Sequence, residues 1–95
     1  MRYVLVYTKG NVPADKREEV SRRWQDWQMM KYSKMGFEMY NGRVISSNGI
    51  GKSDLDFVGL DIIEVESSEQ ALEIAKGCPG IPYGMSVQLW EELVE

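Results

Sequence analysis

The chain has 95 residues, with 11 Lys and Arg against 15 Asp and Glu for a formal net charge of −4, no histidine and one cysteine. This length suits a single domain over residues 1–95 with a modest core. Without histidine there is no Ser-His-Asp triad and no imidazole metal site. One cysteine forms neither an internal disulfide nor a cysteine zinc cluster. We therefore expect a protein without metal or cofactor.

The charge balance also narrows the choice of partners. An acidic chain lacks the clustered positive surface that nucleic-acid binding requires. The basic residues Lys16, Arg17, Arg22 and Arg23 are interrupted by two glutamates. We interpret them as the solvated side of a helix rather than as a phosphate-binding patch. The opening apolar run is too short for a signal peptide or a membrane span. We expect a cytoplasmic protein that binds neither nucleic acid nor membrane.

In chain order, the first predicted elements are a strand and a helix. Residues 2–8 are rich in β-branched and aromatic side chains, which predicts a strand, and both of its faces are apolar. Pro13 suits the first turn of a helix. The next stretch has no Gly or Pro and predicts a helix over residues 14–34 that ends near Gly36. Its apolar stripe consists of Val20, Trp24, Trp27 and the stem of Lys31.

The middle of the chain predicts extended structure. Residues 37–47 predict one strand, or two short pieces around a turn or bulge at Asn41-Gly42. Residues 48–56 predict a loop. Residues 57–66 predict a third extended segment, in which Gly59 and Asp61 interrupt one of two apolar faces.

The last elements are a short helix and a strand. Ser67 and Gln70 fit a capping box, and the helix that follows stops at Gly77. Residues 85–94 predict the last strand, with Trp90 on the face opposite to the other apolar residues.

The order β-α-β-β-α-β predicts an α+β sandwich of the ferredoxin-like type, with a four-stranded antiparallel sheet and two helices on one face. The strands are apolar on both sides, so the face without helices would expose apolar side chains. Such a face usually marks an interface. We therefore expect a two-fold homodimer whose open sheet faces pack together.

Two blocks of the C-terminal half resemble a known family. Residues 59–75 read as Gly, an apolar strand and a Ser-x-x-x-Ala-Leu helix, and residues 78–89 read as Cys-Pro followed by Gly-x-Ser-Val-x-Leu. These segments, and the opening strand, are similar to those of the YciI-like (YCII-related, DGPF) proteins of the dimeric α/β-barrel superfamily. The resemblance implies a ferredoxin-like fold, a dimer and a cleft between helices and sheet. Relatives that act as monooxygenases, isomerases or dehydrochlorinases use such a cleft.

The chain departs from this family at the site that the resemblance would place in the cleft. The family's proposed site uses a His on the first helix and an Asp before the late Pro. Here that helix offers Trp24 or Trp27, and Cys78 precedes Pro79. The Asp-Gly-Pro-Phe signature is absent, and residues 46–50 stand in its place. The resemblance therefore implies the fold and the cleft but not the family's activity.

Three residues are candidates for catalytic chemistry. A thiolate at Cys78 would lack a histidine base, and nearby helix carbonyl groups would raise its pKa, so a structural cysteine is favoured. Asp61, like Asp54 and Asp56, belongs to the acidic residues around the third strand. It could be a buried general base, although a structural role is favoured. Tyr83 could donate a phenolic proton at the mouth of the cleft, or pack in a turn.

Aromatic and sulfur-containing side chains are the candidates for binding. Trp24 and Trp27, together with Tyr83, could wall an aromatic-lined pocket, or the two tryptophans could serve only as core. A cluster of soft side chains predicts an adaptable contact surface, which we interpret as a subunit interface. Its members are Met29, Met30, Tyr32, Met35, Met39 and Tyr40.

Three functions are compatible with these residues. The first is binding of a small apolar or aromatic molecule in the helix–sheet cleft, walled by Trp24, Trp27, Tyr83 and also Cys78. The second is a cofactor-independent enzyme of isomerase, lyase or monooxygenase type. It would act on a small aromatic or lactone-like substrate, with Asp61, Tyr83 or Cys78 supplying acid–base chemistry. The third is a structural dimerisation module with no ligand.

Overall fold

The fold is built around a four-stranded antiparallel sheet. The computed structural model describes residues 1–53 and 56–94, so Asp54 lies outside the described residues. The strands of the sheet run in the order β2-β5-β1-β6, and a separate hairpin is formed by β3 and β4. The strands are β1 (Arg2–Thr8), β2 (Ser33–Glu38), β3 (Arg43–Ser46), β4 (Gly49–Lys52), β5 (Phe57–Glu64) and β6 (Val87–Glu91), and the helices are α1 (Arg17–Asp26) and α2 (Ser68–Lys76).

This topology confirms the predicted ferredoxin-like α+β fold. β5 lies between β1 and β2, and β1 lies between β5 and β6. Every neighbouring pair of strands in this sheet is antiparallel. Each helix connects two strands that are separated by a third. Neither helix in the described part of the chain is long and apolar enough to cross a membrane.

The two faces of the sheet differ in burial, as the alternation in residues 2–8 predicts. Tyr3, Leu5 and Tyr7 are buried, and the residues between them are only half-buried. Because Leu5 pairs with Asp61, and Tyr3 with Ile63, those β5 residues share the buried, helix-covered face. The opposite face is left open by the helices. It carries Val4, Val6, Met35, Phe37, Leu60, Ile62 and Trp90.

The first helix is shorter than its sequence predicts, so the prediction of a helix over residues 14–34 is wrong. A 3₁₀ turn precedes α1, and the chain leaves α1 at Trp27 with φ −64° and ψ 135°, then makes a second 3₁₀ turn and enters β2 at Ser33. Residues two apart on a continuous helix do not share a face. The break lets both Trp27 and Met29 enter the core. The predicted stop, Gly36, lies inside β2.

The predicted cluster of methionines is divided between three places. Met29 is buried in the core, so its predicted place on an exposed contact surface is wrong. Met35 pairs with Ile62 on the open sheet face. Met30 and Met39 border a cleft beside α1. A thioether adapts to each of these surroundings, which explains why residue type alone did not separate them.

Residues 37–47 contain two strand pieces, the end of β2 and the strand β3, which is one of the two predicted alternatives. β3 then continues into a hairpin. Asn41 has φ 56°, which confirms a turn at that point. The predicted loop over residues 48–56 contains β4, which pairs with β3 through Ile45 and Ile50. Gly49 sits at the turn with φ 109°, a conformation that glycine adopts without strain. We refer to residues 43–52 as the arm.

The second helix begins where the capping box predicts. The Ser67 hydroxyl accepts a hydrogen bond from the Gln70 backbone N–H, at 3.1 Å. The Gln70 side chain in turn accepts a hydrogen bond from the Glu66 backbone N–H. α2 ends at Lys76, followed by Gly77, and β6 is shorter than the predicted strand over residues 85–94.

Candidate functional site

A cleft of about 810 Å³ opens between α1 and the helix-facing side of β2 and β5. One turn-spaced stripe of α1 faces it, formed by Arg17, Val20, Ser21 and Trp24. From the sheet side, Gly36, Gly59 and Asp61 contribute to its lining. Two of these three positions lack a side chain, and the third is a carboxylate. The interruption of the apolar face that the sequence shows at residues 59 and 61 therefore opens the cleft.

The central polar contact of the cleft joins Tyr7 and Asp61. The Tyr7 hydroxyl donates a hydrogen bond of 2.6 Å to Asp61 Oδ2. Gly59 lies opposite Tyr7 in the strand register, and a Cβ there would contact the Tyr7 ring. Gly36 lies opposite Asp61 on the other side, and a Cβ there would overlap Asp61 Oδ1. Gly36 thus leaves room for the carboxylate, whereas a Cβ at position 59 would only touch the ring.

Burial changes the acidity of both groups. Desolvation raises the pKa of Asp61 above its ordinary value, and the hydrogen bond from Tyr7 acts in the opposite direction. Burial, followed by the hydrogen bond to Asp61 and the charge of that carboxylate, raises the pKa of Tyr7. The phenol therefore stays protonated and remains the donor. Asp61 is the group of this pair that titrates.

Two tryptophan rings pack edge-on beside this pair. The Trp24 ring packs edge-on against Tyr7, with centroids 5.5 Å apart, and against Trp27, with centroids 5.2 Å apart. Trp24 lines the cleft. Trp27 lies behind it in the core, where its indole Nε1 donates to the Ile74 carbonyl oxygen at 2.9 Å. The two tryptophans thus have different roles, one as a cleft wall and the other as a core anchor that holds it.

The other candidate residues lie away from this cleft. Cys78 is buried, and desolvation raises its pKa against the opposing effect of backbone hydrogen bonds. It borders a separate cavity of about 420 Å³. Tyr83 ends the 3₁₀ turn after α2, and its carbonyl oxygen accepts from the Asn11 backbone N–H. Asp56 is exposed at the entrance to β5.

The basic residues of the first helix divide into two groups. Lys16, Arg22 and Arg23 each form an ion pair with a glutamate of the same segment, which agrees with a solvated side. Arg17 lines the cleft and has no ion pair with another described residue. Glu38, opposite Gly59, brings a second carboxylate to the cleft. Among residues 1–53 and 56–94, no three acidic or thiol side chains are grouped as metal ligands.

Sequence reasoning identified Trp24 and Asp61 but missed Tyr7 and Gly36. The sequence pattern places Tyr7 only in a strand, and it predicts Gly36 only as the end of a helix. The signal for Tyr7 was its place on the same face as Asp61. To use that signal, one must know the register between two strands whose contacting residues, Tyr7 and Asp61, are 54 positions apart in the chain.

We expect Gly36→Ala to lower the free energy of unfolding by about 1–3 kcal/mol, because the new Cβ would displace the Asp61 carboxylate. The control is Gly51→Ala in β4, where a Cβ would have no atom within 4 Å. That control should change stability by less than about 0.5 kcal/mol. Urea unfolding of both variants measures the difference. Equal effects would show that the space beside Asp61 is not restricted.

Comparison with known proteins supports the fold. No family model matches the chain, and no curated protein matches it. Its structure is similar to that of the 5-chloro-2-hydroxyhydroquinone dehydrochlorinase of Burkholderia phenoliruptrix AC1100, solved in complex with 2,5-dihydroxybenzoquinone. The TM-score is 0.58 at 11% sequence identity, over 100% of this chain and 96% of the other. The similarity establishes a shared ferredoxin-like fold.

Proposed function

We propose that the cleft binds a small, flat aromatic or apolar molecule that carries at least one hydroxyl group. The observation that supports this most is the Tyr7–Asp61 hydrogen bond within an otherwise largely apolar cleft. An apolar cleft with a few convergent polar groups and a perturbed carboxyl group is the usual form of a small-molecule site. Its volume lies in the range of about 300–1,000 Å³ found for such sites.

The walls suit a planar ring. Trp24 supplies a rigid aromatic surface held by Tyr7 and Trp27. Met30 and Met39 supply flexible thioethers that adjust to the shape of a ligand. Aromatic rings attract each other in edge-on and offset arrangements, worth about 0.5–1.5 kcal/mol beyond the area they bury. A flat ring packed on Trp24 would gain this attraction.

Asp61 supplies the polar end of the site. An ionised carboxylate has about four acceptor positions, and Tyr7 occupies one of them. The remaining positions accept hydrogen bonds from a ligand hydroxyl. A hydrogen bond to a charged group contributes about 1.5–3 kcal/mol. The solved dehydrochlorinase with this fold binds 2,5-dihydroxybenzoquinone, a flat ring with hydroxyl groups. This is support by analogy of fold alone.

The same pair favours a second candidate function, a cofactor-independent lyase or isomerase. A buried carboxylate with a raised pKa is suited to act as a general base. In a lyase step, Asp61 would take the proton of one ring hydroxyl and deliver it to the ring carbon that bears the leaving group, which gives a keto tautomer. Asp61 would then take the proton of a second ring hydroxyl. The electron pair of that O–H bond would form a second carbonyl group, the ring double bond would shift, and the leaving group would depart as an anion. Tyr7 would hold the carboxylate in position throughout. Tyr83 and Cys78 remain weaker candidates, because neither lines the cleft.

We also propose that the open sheet face forms a homodimer. The apolar residues of this face are half-buried or exposed, including Phe37 and Trp90. A patch of this kind on a small protein usually marks an interface. Like the dimer, kinship to the YciI-like proteins and a cytoplasmic location are parts of this proposal. A dimer that binds no ligand would leave the third function, a structural dimerisation module.

The binding proposal predicts that hydroquinone titrated into the protein gives saturable heat at millimolar concentration or below. Asp61→Asn should weaken binding about tenfold or more, because a neutral amide is a weaker acceptor. Trp24→Ala should also weaken it, whereas Trp90→Ala, on the opposite face, should not. Hydroquinone dimethyl ether has no hydroxyl donor and should bind equally to wild type and to Asp61→Asn. Absence of saturable binding for any ring compound would contradict the proposal.

The lyase candidate predicts release of chloride from 5-chloro-2-hydroxyhydroquinone, measured against pH. The rate should rise as the pH increases through the pKa of Asp61, because only the ionised carboxylate accepts a proton. Burial raises that pKa, so the rise should lie above the ordinary value of 3.8. Asp61→Asn should lose about a hundredfold or more in rate. Glu38→Gln, which changes another carboxylate of the cleft, is the control. Unchanged chloride release in Asp61→Asn would exclude this role.

The dimer proposal predicts sedimentation as a dimer at micromolar concentration. Phe37→Asp should shift the protein toward monomer by at least tenfold in Kd, because it places a charge in the apolar face. Leu72→Asp changes an exposed side chain of α2, and should leave the dimer intact. A wild-type protein that sediments as a monomer would contradict the interface.

A further inference from the structure

The arm stands apart from the body of the protein. All eight residues of β3 and β4 are exposed, and among the described strands these two pair only with each other. The radius of gyration is 14.7 Å. A compact domain of this length would have a value of about 12 Å. The excess agrees with a segment that projects from the body.

An isolated arm of this kind needs a surface to lie on. A single two-stranded hairpin is at best marginally stable in water. Ile45 and Ile50 are cross-strand partners, so they share one face, and they are 77% and 74% exposed. These two side chains form an apolar patch that a partner surface would cover.

The charge of the arm points to an acidic partner. The arm carries Arg43 and Lys52 and no acidic residue, for a charge of +2. The whole chain has a net charge of −4, so the rest of it has −6. A second copy of this chain therefore offers the opposite charge. Two cations are too few for the counterion-releasing contacts on which nucleic-acid binding depends.

One corner of the body complements the arm both in its exposed apolar side chains and in its charge. Residues 90–94, which we call the C-terminal corner, include Trp90, Leu93 and Val94, the last two 82% and 80% exposed. Between them lie Glu91 and Glu92. Glu91 accepts from the Tyr3 hydroxyl, and Glu92 pairs with Arg2. Each carboxylate keeps further acceptor positions. This corner thus combines apolar side chains with negative charge.

The positions of these two features suit a two-fold dimer. The arm follows β2, at one edge of the sheet, and lies at the end where β1 finishes. The C-terminal corner follows β6, at the other edge, and lies at the end where β1 starts. They occupy diagonally opposite corners. Consider two sheets packed face to face, with a two-fold axis between them that runs along the other diagonal. This axis brings the arm of each protomer to the C-terminal corner of its partner. The strands of the two sheets then cross at nearly right angles, which is one of the two usual ways in which sheets pack.

We propose that in the homodimer the arm of each protomer lies on the C-terminal corner of the other. Ile45 and Ile50 contact Trp90 and Leu93, and the basic residues of the arm face Glu92, whose partner Arg2 lies on the same strand face as Val4. This inference rests on the proposed dimer of the open sheet face. It adds two symmetric contacts at the ends of that interface.

Cross-linking tests the arrangement directly. In a Cys78→Ala background, Ile45→Cys is combined with Leu93→Cys and treated with a short bifunctional maleimide. Within one protomer the two positions are more than about 20 Å apart, from strand spacing and length, so a link can form only between protomers. Ile45→Cys combined with Leu72→Cys, on α2, is the matched control. We expect a cross-linked dimer for the first pair and at least tenfold less for the second.

The outcomes separate the arm contact from the dimer itself. A protein that sediments as a dimer but cross-links equally little in both pairs overturns the arm contact and leaves the sheet interface standing. A protein that sediments as a monomer overturns both. As a second measurement, Arg43→Glu with Lys52→Glu should weaken the dimer at least tenfold at low salt, and less at high salt. An unchanged dimer in that variant also overturns the arm contact.

Discussion

The cleft depends on one interaction, the hydrogen bond from Tyr7 to the Asp61 carboxylate. A carboxylate on the covered face of a central strand loses hydration, and the raised pKa of Asp61 reflects this loss. Tyr7 compensates by donating a hydrogen bond of 2.6 Å. Glycine at position 36 leaves the space that the carboxylate occupies. An aliphatic residue at position 61 would pack where the cleft now opens.

The early end of α1 serves the same arrangement. Because the chain leaves the helix at Trp27, this indole reaches α2 and donates to the Ile74 carbonyl oxygen. Trp27 then supports Trp24 from behind, and Trp24 is free to line the cleft. Had the helix continued to Lys34, the core would have needed Trp24 and Trp27 on one stripe. The helix break thus separates a structural tryptophan from one that can contact a ligand.

The sequence predicted what depends on local pattern. Alternation in residues 2–8 and the capping pair Ser67 and Gln70 are local signals, and the structure confirms both. The end of α1 could not be predicted in this way, because residues 27–34 contain no helix breaker and continue the apolar stripe. Packing of Trp27 and Met29 against the sheet overrides that local preference. The Tyr7–Asp61 contact depends on strand register, which no single segment contains.

The composition and the site together restrict the chemistry that the cleft can perform. With no histidine in the chain, proton transfer at this site falls to carboxyl groups and the Tyr7 phenol, and Asp61 is the carboxyl group that burial gives a raised pKa. Burial and the neighbouring carboxylate raise the pKa of Tyr7, so the phenol does not ionise when Asp61 does. The pair therefore offers one base and one fixed donor. A reaction that needs separate acid and base groups on two sides of a substrate would have to use Asp61 together with Glu38, the other carboxylate of the cleft. Binding, or an elimination in which Asp61 carries each proton in turn and the leaving group departs as an anion, needs no second group and fits the site better.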